Sequence, residues 1–572
     1  MSAKSNARHQ GATPPTAGGS GGIRARYAAL SGFVAGAAGI ASAELLAGLV
    51  PGVPSPTIAV GSLIVDLQPS GAKDLMISLF GTNDKTALNV GVLVVGLLVA
   101  SVLGLVARRD RGVALIGFGA FGALSVIGAV FAEMMPWPLA LLSAGVAVLV
   151  AAGTLSMLLG LAEGAGSEAD LEWGAYAEES EGAGPDAVRA GSEAARTGEP
   201  AARTGTPAAR TGEYAANPFR RQFLIRSVGI LAAAALAGGL GRYLLSLAHP
   251  LGVPVNAKLR PPAETVPPLT AAEQLSAPGL TPLVVANSAF YRIDTALLVP
   301  EIDASTWQLK ISGMVGNPHV YSYADLSAMP LIEQYVTIAC VSNEVGGGLV
   351  GNALWTGVRL KEILAAAAVQ PGATQIVGRS VDGFTVGFPT SWALDPVREP
   401  MIALGMNGEA LPAEHGYPAR LIVPVLYGYV SATKWLSEIE LTTREAFDGY
   451  WVPLGWAKDG PILTQSRIDH PLSSDQLPAG PTWIDGIAWA PDRGIVRVEV
   501  SIDGGPWNQT EISRPISKAT WVQWMLLWQA KPGDHTIEIR ATDGTGQVQT
   551  AQETPPAPDG ARGHHKISVT VR

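Results

Sequence analysis

The chain has 572 residues and a single cysteine, Cys340. One thiol excludes an intrachain disulfide framework. It leaves two readings for Cys340, a small buried hydrophobe or a reactive or metal-binding group. Charged residues are scarce, 15% of the chain against 48% hydrophobic, and the mean hydropathy is +0.25. That balance is too apolar for a wholly soluble protein and too polar for a pure membrane bundle, so both kinds of domain are expected. The net charge is −9 and no long basic stripe occurs, which argues against nucleic-acid binding. Histidine is almost missing from the first 248 residues, where only His9 occurs. The apolar stretches there therefore do not hold a His-ligated haem.

Residues 1–26 are rich in Gly, Ser and Pro and carry Lys4, Arg8, Arg24 and Arg26, the composition of a disordered cytoplasmic tail. Apolar stretches follow at 27–50, 87–107, 112–132 and 138–162. Each reaches the roughly 20 residues needed to cross a bilayer, so 27–162 reads as a four-span region. Arg24 and Arg26 precede the first stretch, and Arg108, Arg109 and Arg111 separate the second from the third. The loop at 51–86 and the turn at 134–138 lack such clusters, so the positive-inside rule puts the N-terminus and the 108–111 loop in the cytoplasm. Glu44, near the outer end of the first span, reads as an interfacial carboxyl.

Residues 163–219 are acidic and then repetitive. Ala194-Ala-Arg-Thr-Gly-Glu-Pro200 recurs with small changes, has no apolar a/d positions and contains Pro and Gly, which describes a flexible cytoplasmic linker and not a coiled coil. It ends at Asn217-Pro-Phe-Arg-Arg-Gln-Phe-Leu-Ile-Arg226, ahead of a weakly apolar segment. The paired arginines are either an ordinary positive flank or an internal twin-arginine export signal, and a marginal hydrophobic segment favours export. Residues 220–248 then form a fifth span, and the chain beyond it lies outside the cytoplasm of a bacterial cell. The twin-arginine and general membrane-insertion machineries are the partners this topology requires.

The remainder is long enough for two domains, 260–450 and 455–572. The first mixes strands (307–311, 336–339, 420–425) with helical stretches (322–329, 360–367). The second alternates period-two strands with turns, as in 495–501 before Asp503-Gly-Gly and 535–541 before Asp543-Gly-Thr-Gly. This is the pattern of an antiparallel β-sandwich. Cys340 sits in Tyr335-Val-Thr-Ile-Ala-Cys-Val-Ser-Asn-Glu-Val-Gly-Gly-Gly348, between a β-rich approach and a glycine-rich loop. The sulfur is thereby expected at a strand end, where backbone can close around a ligand.

Four blocks in order carry a resemblance. They are the Cys340 segment, Asn287-Ser-Ala-Phe-Tyr291, Trp355-Thr-Gly-Val358 with Leu360, and Met406-Asn-Gly-Glu-Ala-Leu-Pro-Ala-Glu-His-Gly-Tyr-Pro-Ala-Arg420 with Val423-Pro424 and Lys434-Trp435-Leu436. From about 280 onward the chain resembles the sulfite-oxidase superfamily of molybdopterin oxidoreductases, its periplasmic methionine-sulfoxide reductases in particular. The chain is thus expected to be multi-domain: the N-terminal α-helical bundle of five spans read above from the apolar runs, and, as the resemblance implies, an α+β sulfite-oxidase-fold catalytic domain and a C-terminal immunoglobulin-like β-sandwich. It implies a molybdenum–molybdopterin cofactor with Cys340 as the metal's protein ligand, a soft thiolate beside two soft dithiolene sulfurs. Asn287, Phe290, Tyr291, Arg379, His415, Arg420, Ser431, Thr433 and Lys434 would hold the pterin, with His415, Arg420 and Lys434 toward its phosphate. One inserted residue between Arg420 and Lys434 leaves open which of Ser431, Ala432 and Thr433 supplies backbone contacts.

Two positions depart from the sulfite oxidases. Glu344 stands where those enzymes have an anion-binding arginine, and Phe384 near where they have a tyrosine. An acid at 344 would repel sulfite. The expected activity is therefore oxygen-atom transfer to or from a small sulfur- or nitrogen-containing substrate such as a sulfoxide or N-oxide, with Cys340, Glu344 and Phe384 at the substrate side. A separate electron-transfer partner is implied, and the family's dimerisation domain leaves a homodimer open. The rival is a catalytically inactive membrane-anchored binding or assembly protein that keeps the molybdopterin fold.

Overall fold

The computed structural model describes residues 25–68, 79, 84–131, 137–181, 218–247 and 259–572 apart from 298 and 396. The chain forms two compact units, one drawn from 1–57, 91–126 and 138–245 and the other from 58–90, 127–137 and 246–572.

Long apolar runs leave the backbone no partner but itself, and here they form helices. These are α1 (Ala25–Leu49), α2 (Pro56–Leu67), α3 (Asp84–Val106), α4 (Arg111–Phe131), α5 (Trp137–Glu181) and α6 (Pro218–Leu247). Among the described residues five helical stretches are long and apolar enough to cross a membrane: Ala25–Leu49, Lys85–Val106, Arg111–Phe131, Trp137–Glu163 and Phe219–Leu245. Helix α2 was not expected; it lies in the 51–86 connection and is too short to stand out as a span. Helix α5 runs to Glu181, beyond residue 163 where the sequence reads as linker. The repeats of that linker, the turn at 132–136 and the tail through Arg24 lie outside the described residues.

In the first unit the helices approach through small residues. A Cβ on Gly32 of α1 would lie 2.1 Å from the Ala100 carbonyl of α3, and one on Gly241 of α6 would lie 2.3 Å from the Glu44 carbonyl of α1. Only glycine lets backbones meet this closely. The second crossing gives Glu44 its partners. Its side chain is 4% exposed, with Ser55 Oγ and Thr57 Oγ1 donating to Oε1 at 2.6 and 2.7 Å and Arg242 Nε 3.1 Å from Oε2. A carboxylate in apolar surroundings needs such partners, and the glycine contact delivers the arginine.

The second unit is β-rich from residue 308 onward, with its strands in two groups of two sheets. In the first, β1 (Gln308–Gly313), β2 (His319–Ser322), β3 (Ile332–Ala339), β4 (Val350–Arg359), β5 (Gln375–Ser380), β6 (Thr385–Pro389), β7 (Met401–Met406), β8 (Glu409–Ala410), β9 (Arg420–Ile422) and β10 (Leu436–Thr442) build two sheets. Their orders are β2-β1-β10-β5-β6 and β3-β4-β7-β8, with β9 beside β7. Strands β1 and β10 pair in parallel. Helices α7 (Tyr323–Ala328), started by a reciprocal Ser322–Asp325 cap, and α8 (Leu360–Ala367) carry one apolar face each. Leu309, Ile376, Phe388, Ile363, Ile402 and Trp435 share the resulting core.

In the second group, β11 (Gln465–His470), β12 (Gln476–Leu477), β13 (Gly480–Trp489), β14 (Ile495–Ile502), β15 (Asn508–Gln509), β16 (Glu511–Ile512), β17 (Val522–Ala530), β18 (Gly533–Asp543) and β19 (Lys566–Val571) form two further sheets. The orders are β11-β13-β17-β16 and β12-β19-β18-β14-β15. Ile484, Val498, Trp524 and Ile539 from both sheets interdigitate in one core. Asp503 (φ 56) and Gly504 (φ 67) turn the β14–β15 hairpin in the left-handed conformation that an Asp-Gly pair favours.

Candidate active site and cofactor pocket

Strand β3 ends at Ala339, and the next residue, Cys340, is buried at 9% exposure. Its backbone N–H donates to the Leu349 carbonyl at 2.9 Å, while Asn343 Oδ1 accepts from Leu349 N at 2.7 Å. These bonds tie the glycine-rich loop back onto the start of β4 and fix the cysteine at the strand end. Cys340 lies on the wall of a cavity that Phe290, Tyr291, Phe384, Arg420 and Lys434 also line.

The aromatic wall is set by a short helical turn, Asn287–Ala289, that delivers Phe290. Phe290 stacks on Tyr291 at 5.3 Å and meets Trp355 and His415 edge-on at 6.0 and 5.6 Å. A Cβ on Gly351 would lie 2.7 Å from the Phe290 ring, so the glycine of β4 makes room for it. Burial pushes the Tyr291 phenol far above its ordinary range.

The cationic end lies around β9. Arg420 is 3% exposed, its guanidinium is 5.0 Å from the Trp355 ring centre, and Nη1 donates to the His415 carbonyl at 3.1 Å. Its Nε is buried with no protein partner. Burial lowers its pKa to about 10. Lys434 Nζ donates to Asp294 Oδ2 and to the Glu414 carbonyl, both at 2.9 Å, and burial brings it down to about 8. Gly416 (φ 111) permits this turn, since a Cβ there would stand 3.0 Å from the Lys434 Cα. An unpartnered guanidinium N–H beside a desolvated ammonium describes a pocket suited to an anion.

Asp294 is the principal residue that sequence reasoning missed. Burial pushes its carboxyl up, but Lys434, Lys85 and Arg292 together hold it well below the usual carboxylate range. Asp382, also on the wall, is raised, chiefly by burial. Tyr429, Trp451 and Trp456 complete the aromatic lining on the side of Phe384. The run Tyr450-Trp451 with Trp456 was the available signal for the two tryptophans.

Other expected residues are not on the cavity wall. Glu344 is exposed. The loop that closes between Cys340 and Leu349 brings Ser342 to the cavity and leaves Glu344 in a turn whose carbonyl accepts from Gly347 N. The charge argument against sulfite at Glu344 therefore loses its footing. Asn287 is spent on structure, donating to Met406 O and Glu409 Oε1 and accepting from Asn407. His415 Nε2 lies 2.8 Å from the Asn287 carbonyl, an acceptor only, so Nε2 carries the proton and the buried, unpartnered Nδ1 is a lone pair. Burial lowers its pKa to about 4. In this arrangement it positions the Phe290 segment and offers no donor to a phosphate. Arg379 pairs with Glu440 across β5 and β10 and covers Phe447. Ser431 Oγ donates to the Tyr427 carbonyl, and a Cβ on Gly378 of β5 would meet Thr433 Oγ1 at 2.6 Å. Ala432, between them, lines the cavity.

Residues 296–451 match the family model described as the oxidoreductase molybdopterin binding domain. Mitochondrial sulfite oxidase of Homo sapiens is 29% identical over 300 residues, covering 44% of this chain and 55% of that protein. A nitrate reductase of Oryza sativa subsp. japonica is 26% identical over 318 residues, covering 44% of this chain and 33% of that protein. The chain thus spans about half the length, or less, of these curated relatives. Among solved structures, the sulfane dehydrogenase SoxCD from Paracoccus pantotrophus is similar, with TM-score 0.45, 23% identity and coverage of 57% of this chain and 94% of that one. The sequence matches support a molybdopterin-binding oxidoreductase domain of the sulfite-oxidase superfamily in this chain, and they point to a molybdenum cofactor.

Proposed function

We propose that the protein is a membrane-anchored, extracytoplasmic molybdenum-cofactor oxidoreductase that moves an oxygen atom to or from a small neutral sulfur or nitrogen compound. The observation that carries the reading is one cavity with Cys340 on its wall and, also on its wall, the buried cations Arg420 and Lys434. Among the described residues no three His, Cys, Asp or Glu side chains come together as a metal site. A metal at Cys340 would thus draw its other ligands from the cofactor. The C-terminal sheets are read as the immunoglobulin-like domain of the family.

The bound cofactor supplies the two-electron oxygen-atom-transfer chemistry. The chain's own residues do the rest. Cys340 offers a soft donor at a fixed strand end. Arg420 and Lys434 neutralise a phosphate, Arg420 through the N–H that lacks a protein partner. Phe290 and Tyr291 give a flat apolar wall, and Phe384, Tyr429, Trp451 and Trp456 keep water from the remaining space. The cations on the cavity wall are the two assigned to the phosphate, and the charged group close to Phe384 is Asp382. An anion such as sulfite therefore meets aromatic surface and a carboxylate, whereas a neutral oxide with apolar substituents meets complementary surface. A wall that keeps both the cysteine and the cations disfavours the inactive rival.

The test is the full chain produced in a host that makes the cofactor. The expected result is about one molybdenum and one pterin per chain, by the resemblance and the soft-ligand argument. Cys340→Ser should keep the pterin, alter the metal's absorption spectrum and abolish turnover. With an artificial donor, sulfoxide or N-oxide reduction should exceed sulfite oxidation. Wild-type spectra and turnover in Cys340→Ser overturn the site, and rapid sulfite oxidation overturns the substrate class.

A further inference from the structure

Helix α3 begins in contact with the cofactor pocket. Asp294 is 5% exposed and holds three cations: Lys434 Nζ and Arg292 Nε at 2.9 and 3.0 Å on Oδ2, and Lys85 Nζ on Oδ1. Lys85 also donates to the Ala296 carbonyl at 2.7 Å. On α2, a Cβ at Gly61 would stand 3.0 Å from the Leu297 side chain. The segment 292–297, which forms part of the cavity wall, is therefore tied to α2 and to the first turn of α3, and Lys85 opens one of the five candidate spans.

The balance of charge gives Lys85 a task. Lys85, Arg292 and Lys434 contact Asp294 and Arg420 acts on it through space, so four cations face the two acidic side chains of Asp294 and Asp382 and the pocket is cationic on balance. A phosphate monoester, carrying close to two negative charges at neutral pH, matches such a surplus. Asp294 is nevertheless a competitor, because it accepts from the same Lys434 Nζ that a phosphate needs. Its grip on Lys434 weakens to the extent that other cations satisfy it.

We propose that Lys85 is a positioning residue for the cofactor. By holding Oδ1 of Asp294 it leaves Lys434 able to turn to the phosphate, so that the apolar helical region tunes cofactor retention as well as anchoring the enzyme. The inference rests on the cofactor reading above. It lies outside the matched 296–451 segment, on a lysine 209 residues before its partner.

The test uses the full chain in detergent. Pterin per chain, read by fluorescence after extraction, and the rate of pterin loss are compared in wild type, Lys85→Met, Lys85→Arg, Asp294→Asn and the Lys85→Met/Asp294→Asn double variant. Lys85→Met should lose pterin faster, on the order of tenfold, the usual scale for a removed supporting partner. Lys85→Arg should restore retention. In the Asp294→Asn background, Lys85→Met should add nothing, because the competing charge is gone. A Lys85→Met protein that retains pterin as wild type does, or one whose defect persists undiminished beside Asp294→Asn, overturns the proposal and leaves the cofactor reading standing. A wild-type chain without pterin overturns the cofactor reading itself and this inference with it.

Discussion

Asp485 shows how a single buried group can shape the pH response of a domain. It sits on β13 with its side chain 0% exposed, and neither carboxyl oxygen has a hydrogen-bond partner. Burial chiefly, and the charge of Asp469 next, push its pKa up to about 7 from a reference near 3.8. A carboxyl whose folded pKa is raised binds more protons folded than unfolded between those two values. Stability then falls as pH rises from about 4 to about 7 and is level above. A tenfold difference in proton affinity between the folded and unfolded chain is worth about 1.4 kcal/mol, so the loss is on the order of a few kcal/mol. Asp485→Asn should flatten the fall and raise the Tm at pH 8, while leaving Tm near pH 4 almost unchanged. Thermal melts across pH 4–8 check this, and equal losses in both proteins would clear Asp485.

At the scale of elements, legibility followed the reach of the interactions. Helix α8 occupies the expected 360–367, because its apolar positions fall on one face and need no distant partner. Strand β14 came out within a residue for the same reason, with alternation ahead of a left-handed turn. Helix α2 escaped notice because twelve residues make neither a span nor an amphipathic pattern. Around the cavity, Cys340, Phe290, Arg420 and Lys434 were named from local motifs, and the structure puts all four on one wall. Asp294 was not, because its meaning comes from Lys434, 140 residues later. Glu344 misled for the converse reason: its offset from Cys340 said nothing about the hydrogen bonds that turn it outward.

The paired arginines belong to this scale as well. Arg220 and Arg221 lie exposed in the opening turn of α6. On the proposed topology α6 has to carry a folded, loaded domain across, which a channel for unfolded chains does not allow. Replacing both arginines with lysine should leave the C-terminal domain protected from external protease while the earlier helices still insert. Continued exposure of that domain would reduce the pair to a positive flank.

For the whole molecule, the crossing of α1 and α6 implies, on the proposed topology, an order of assembly. The Glu44 carboxylate lies among apolar helices, and its charge partner Arg242 arrives only with the last helix, brought in where Gly241 meets the α1 backbone. Until then, among the described residues, the acid has the hydroxyls of Ser55 and Thr57 as its partners. On the proposed membrane topology such a half-built intermediate would be a marked state, open to membrane proteases, and docking of α6 would erase the mark. A chain ending at residue 217 should accordingly turn over quickly in pulse–chase labelling, and Glu44→Gln should prolong its life severalfold. In the intact chain the same substitution should change little, because completion has already hidden the signal. One carboxylate would then act as a checkpoint on whether the last helix, and the domain it tows, has crossed.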